Sequence, residues 1–102
     1  MKLTKKEAVH YHRQMWSDMQ KKLGDNPNEI DRIHFKRDWV CNHFPEEQIF
    51  NDCFLCEYTS FNELGCDSCP IKWHNDYCGA YYYYLYAPIS EILALPERDE
   101  VD

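Results

Sequence analysis

The chain has 102 residues, 44% of them hydrophobic and 28% charged, with six cysteines and a formal net charge of −7. That length fits one domain with a modest core, and no stretch approaches the roughly 18 apolar residues of a membrane span. The charge is segregated: residues 1–24 carry a net +4 and residues 25–102 a net −11, so the acidic body repels phosphate and disfavours general nucleic-acid binding.

The first predicted element is a helix over about residues 5–23. Thr4 and Glu7 have the S/T-x-x-E spacing of a capping box, in which each side chain satisfies a free backbone N–H. Ala8, His12, Met15, Trp16, Met19 and Leu23 recur at intervals of three and four, the period of one buried face. Gly24 suits a left-handed closing residue, and Asp25, Asn26 and Pro27 continue the turn. Lys5 and Lys6 oppose the helix dipole at a cost of a few tenths of a kcal/mol each.

A second helix is expected over about 27–43. Asn26 would cap it, Pro27 suits its first position, and Glu29 would complete another box. Ile30, Ile33, Arg37, Val40, Cys41 and Phe44 would form its inner face, and Pro45 ends the run. Two helices joined so closely should pack antiparallel. A short helix from Glu57 to Leu64 is compatible with the region that follows, with Gly65 ending it. From Ala80 to Ala87 a tyrosine-rich run fits a strand by propensity or an aromatic helix, and periodicity does not separate the two. Pro88 opens a last helix at about 88–95 with Ile89, Ile92 and Leu93 inward, and the polar tail 97–102 is expected to fray.

The chemistry-bearing pattern lies at about 50–80. Cys53 and Cys56 form one C-x-x-C, and Cys66 and Cys69 form a second after nine intervening residues. Two such pairs can present four sulfurs tetrahedrally to one Zn²⁺ at about 2.3 Å. A thioredoxin-like pair needs a βαβ setting that nothing in this chain suggests. An iron–sulfur cluster takes the same four thiolates, though the compact pairing favours zinc. Four thiolates close the coordination shell, so the zinc would be structural and not catalytic. Pro70 follows Cys69 and offers no N–H to a sulfur, so helix starts suit these ligands better than β-knuckles.

The other thiols have plainer readings. Cys41 is expected on the buried face of the second helix and Cys78 beside the zinc region, although Cys78 or His74 would serve as a substitute ligand. The first residues, Met1 to Glu7, are charged and lack the apolar segment of an export signal. A cytoplasmic location is therefore expected, with thiols reduced or metal-bound. His12 falls on the core face of the first helix as an interior histidine.

Tyr81, Tyr82, Tyr83, Tyr84 and Tyr86 are candidate protein contacts. Residues 75–95 hold no Lys or Arg, so these rings lack the cations that accompany base stacking. Tyrosine is enriched at protein–protein contacts, where a rigid ring buries area and keeps its hydroxyl paired. No catalytic constellation can be recognised, and an enzyme is not expected.

The run Asn51 to Tyr58, with Cys53, Cys56 and Glu57, followed by Cys66 to Trp73, with Cys69, Pro70 and Ile71, resembles small zinc-binding proteins of tailed bacteriophages and prophages. In these a C-x-x-C-E-Y element precedes C-x-x-C-P-I/L-x-W. The likeness extends to Thr4–Trp16 and Ile92–Arg98; the Tyr81–Tyr84 run and Pro88 depart from it. It implies Cys53, Cys56, Cys66 and Cys69 as ligands of one structural zinc. It leaves activity open, because most of that family has no known function. The expectation is a mainly α single domain, a helical hairpin plus a C-terminal helix around a four-cysteine zinc-bound loop region. Trp16, Trp39 and Trp73 would share its core. The expected role is a phage accessory protein that binds and inhibits a bacterial host factor, such as a defence component, with a basic surface. The alternative is a nucleic-acid-binding zinc-finger-like regulator.

Overall fold

A computed structural model describes residues 3–45, 54–61, 70–71 and 86–97. Among these the fold is mainly helical, as the periodicity indicates: α1 (Lys5–Leu23), α2 (Glu29–His43), α3 (Phe54–Phe61) and α4 (Ile89–Ala94). Helix α1 lies at the centre and packs against each of the other three. Its buried face holds Ala8, Val9, His12, Met15, Trp16 and Met19. Leu23, expected with them, is 36% exposed at the open end of the helix.

Both ends of α1 follow the sequence closely. The Thr4 hydroxyl accepts from Glu7 N–H at 3.1 Å, and Thr4 N–H donates to Glu7 Oε1 at 3.0 Å. Gly24 has φ 87° with nothing within 4 Å of a Cβ added there, so alanine would be strained by the backbone alone. Helix α2 runs antiparallel to α1. Lys22 sits over the Phe35 ring at 5.9 Å, Trp39 Nε1 donates to Asp18 at 2.9 Å, and Tyr11 meets Phe44 edge-on at 5.0 Å.

The start and the inner face of α2 both differ from expectation. Asn28 caps it, accepting from Asp31 N–H at 2.8 Å, so the helix begins two residues after Pro27. Pro27 carries out another task, because its carbonyl accepts from Arg32 Nε at 2.9 Å. The residues buried on α2 are Arg32 and Trp39, while Ile30, Arg37 and Cys41 face outward. Val40 and Phe44 pack on the core only partly. The expected assignment of Cys41 to the core is therefore wrong: the Trp39 indole and the aliphatic stem of Arg32 claim the contact, and this turns Cys41 to solvent.

Helix α4 begins at Pro88, which has no side-chain cap of its own. Asp25, from the α1–α2 turn, supplies one across 65 residues of sequence: its carboxylate accepts from Ser90 N–H at 2.7 Å and Ser90 Oγ at 2.8 Å. Its carbonyl accepts from Ile89 N–H at 2.8 Å, and Gln20 Nε2 donates to the same carboxylate at 2.9 Å. These bonds, Gln20 first and then Ser90, hold the Asp25 carboxyl below its usual range. Beyond α4, Glu97, expected in the frayed tail, instead pairs with Ile71 in an isolated antiparallel bridge, and the rest of that tail lies outside the described residues.

His12 is buried, as its place on the helical face implies. Burial first, and then the charges of Arg13 and Lys36, push its pKa down from 6.5 to about 3. The unfolded chain protonates it near pH 6.5 while the folded chain does not, so acid favours unfolding. Above pH 6.5 the group adds nothing; below it, stability should fall by about 1.4 kcal/mol per pH unit until about pH 3. Urea midpoints of wild type and His12→Gln at pH 7 and pH 5 check this. The variant should lose less on acidification, and equal losses would refute the assignment.

Candidate metal centre

The four-cysteine motif is entered and left through buried residues. Phe54, directly after Cys53, is 3% exposed, and Leu55, directly before Cys56, is fully buried. At the other end Pro70 and Ile71, directly after Cys69, are buried in the same interior. The described residues beside the two C-x-x-C elements, Phe54 and Leu55 at one and Pro70 and Ile71 at the other, are thus buried in one hydrophobic core.

Aromatic packing fixes the first pair. Phe54 lies 5.6 Å from Tyr11, 5.6 Å from Trp39 and 5.9 Å from Phe44, ring centroid to centroid, joining α1, α2 and α3. Such pairs add about 0.5–1.5 kcal/mol each beyond their buried area. Tyr11 and Phe54 carry no role in the periodic reading of the sequence, because Tyr11 sits at the edge of the α1 stripe. At the second pair, the Ile71–Glu97 bridge brings Ile71 beside the end of α4.

Cys56 is the third residue of α3, a helix that begins at Phe54, three residues before the expected start at Glu57. Cys56 therefore belongs to the first turn of a helix, where free N–H groups favour a thiolate. Cys53, Cys66 and Cys69 lie outside the described residues, as do Trp73, His74, Cys78 and Tyr81, Tyr82, Tyr83 and Tyr84. Among the described residues no three His, Cys, Asp or Glu side chains are grouped to hold a metal. The donor set of the motif suits zinc on chemical grounds: four soft thiolates in two short chelating pairs. These residues would hold the ion, and the ion would supply cross-linking, not catalysis.

The remaining candidates are dispersed. Cys41 and His34 are exposed on α2. The exposed His43 stacks on Trp39 at 3.8 Å and 17°, with Nδ1 2.9 Å from the Trp39 carbonyl oxygen. Tyr86 is 55% exposed, with its hydroxyl donating to Glu29 at 3.3 Å. No helix among the described residues is long and apolar enough to cross a membrane. No family model, curated protein or solved structure matches the chain.

Proposed function

We propose that the chain is a phage accessory protein, a zinc-stapled helical module that acts by binding a bacterial host protein with a basic surface. Inhibition of a host factor such as a defence component is the role this reading assigns it. The observation that carries it is charge: residues 25–102 hold sixteen acidic and five basic side chains. Four thiolates on one Zn²⁺ would add −2. Such a surface repels phosphate and complements a cationic protein face. The exposed carboxylates of Asp31, Asp38, Glu91 and Glu97 support the same reading, and the tyrosines from Tyr81 to Tyr86 would supply apolar contact. Tagged protein purified from infected cells should bring down one dominant protein, and with that protein purified the on-rate should fall steeply as salt rises. A salt-insensitive on-rate would contradict the electrostatic part.

One observation favours nucleic acid as a second reading. Lys6 and Lys21 are exposed on α1 and Arg13 is half-buried, with His10 exposed between Lys6 and Arg13. Both carboxylates of that helix are occupied, Glu7 by the Thr4 N–H of the cap and Asp18 by the Trp39 indole N–H. Three cations form a small phosphate footprint, with an expected salt slope of only about −2 on single strands. At physiological salt the acidic body should prevail and DNA should not bind. Tight binding that disappears with Lys6→Glu and Arg13→Glu together would reverse the order of the two readings.

A further inference from the structure

Three large hydrophobic side chains are exposed among the described residues: Leu23 at 36%, Ile30 at 65% and Tyr86 at 55%. All belong to one corner of the fold. Leu23 ends α1, Ile30 lies in the first turn of α2, and Tyr86 stands at the turn into α4. Hydrogen bonds hold that corner together. Asp25, two residues after Leu23, binds Ile89 and Ser90, and the Tyr86 hydroxyl donates to Glu29, the neighbour of Ile30.

Single exposed hydrophobic residues are ordinary on a protein surface, whereas a gathered set marks an interaction site. This set rests on a scaffold already ordered by cross-chain bonds, so docking would cost little further ordering entropy. Its exposed rim has one sign of charge, because Arg32, the cation beside Asp25, is buried against the Pro27 carbonyl. Residues 23–31 and 86–97 contain Asp25, Glu29, Asp31, Glu91 and Glu97, and no Lys or Arg. The nearest cation along α1, Lys22, is turned toward the Phe35 ring.

We propose that the corner formed by Leu23, Ile30 and Tyr86 is the docking surface for a protein presenting an apolar side chain ringed by Lys and Arg. The hydrophobic trio would cover the apolar centre, and Glu29 and Asp31 would face the cations. Rim charges of this kind set encounter rate and choice of partner, while the apolar centre sets the lifetime of the complex. This rests on the protein-binding reading and gives it a surface.

The test uses an amphipathic helical peptide of Leu and Lys, titrated into the isotope-labelled full chain and followed by amide chemical shifts. A Leu and Glu peptide of the same pattern is the control. Shifts should centre on residues 22–31 and 86–91, and the Leu and Glu peptide should produce none. Ile30→Ser should weaken binding about tenfold with an unchanged unfolding midpoint, whereas Lys6→Gln should bind as wild type does. Shifts centred elsewhere, no binding, or equal affinity of Ile30→Ser would overturn the proposal. So would corner shifts that grow with protein concentration without peptide, which would assign the surface to a second copy. The two readings fail separately. A captured host protein indifferent to Ile30→Ser removes this surface and leaves protein binding intact; corner-specific peptide binding without any cellular protein partner does the reverse.

Discussion

Cys56→Ser should lose bound zinc and cooperative unfolding together, while Cys41→Ser should keep both. The difference follows from where the two thiols sit. Cys56 lies on α3 directly after the buried Leu55, inside the paired C-x-x-C motif. Cys41 is exposed on α2 and belongs to neither C-x-x-C pair. Structural zinc contributes apparent binding free energies of about 10–16 kcal/mol in finger peptides at neutral pH. A domain of this size is stable by about 5–15 kcal/mol in total. Losing one of four thiolates therefore removes a share comparable with the whole margin. Metal content by mass spectrometry and urea unfolding followed by circular dichroism give the two readouts. Equal zinc loss in both variants would refute the four-ligand set, and two zincs per chain would bring in Cys78 with a histidine.

Leu55→Ala should be nearly as damaging without touching a ligand. The side chain is fully buried, and α3 packs mainly against α1. Truncating a buried leucine costs about 2–5 kcal/mol, because the cavity collapses only partly. The helix concerned also carries Cys56, so a looser α3 should weaken metal retention as well as the fold. The expected result is a lower urea midpoint with zinc present and earlier zinc release to a chelator. Ile30→Ala, on an outward face, should change neither. A variant of Leu55 with a lower midpoint but wild-type zinc release would uncouple the core from the motif.

Much of this architecture was legible because local rules decided it. The α1 capping box, its six-residue inner stripe and the Gly24 stop each depend on residues within a few positions of one another, and all but Leu23 of the stripe behave as the periodicity implies. The α2 face was misread for a tertiary reason. Counting apolar residues favours Ile30, Ile33 and Cys41 beside Val40 and Phe44. Val40 and Phe44 do pack on the core, but a Trp39 whose indole bonds Asp18 and a buried Arg32 held by Pro27 take its fully buried positions and leave Ile30 and Cys41 exposed. An arginine covering core with its methylenes does not register as hydrophobic in a pattern. The α4 cap was equally hidden, since Asp25 and Ser90 lie 65 residues apart. The paired C-x-x-C motif is read from spacing alone, and three of its four cysteines lie outside the described residues. Its anchors, Phe54 against Tyr11, Trp39 and Phe44, emerge only when three helices meet.

We propose a single zinc held by Cys53, Cys56, Cys66 and Cys69 as part of the fold. Native mass spectrometry of reduced, freshly purified protein, before and after a chelator, tests it most directly when paired with unfolding curves of the same samples. The expected result is one zinc per chain, lost on chelation together with the cooperative transition. A metal-free chain that unfolds cooperatively at the same urea midpoint would contradict it.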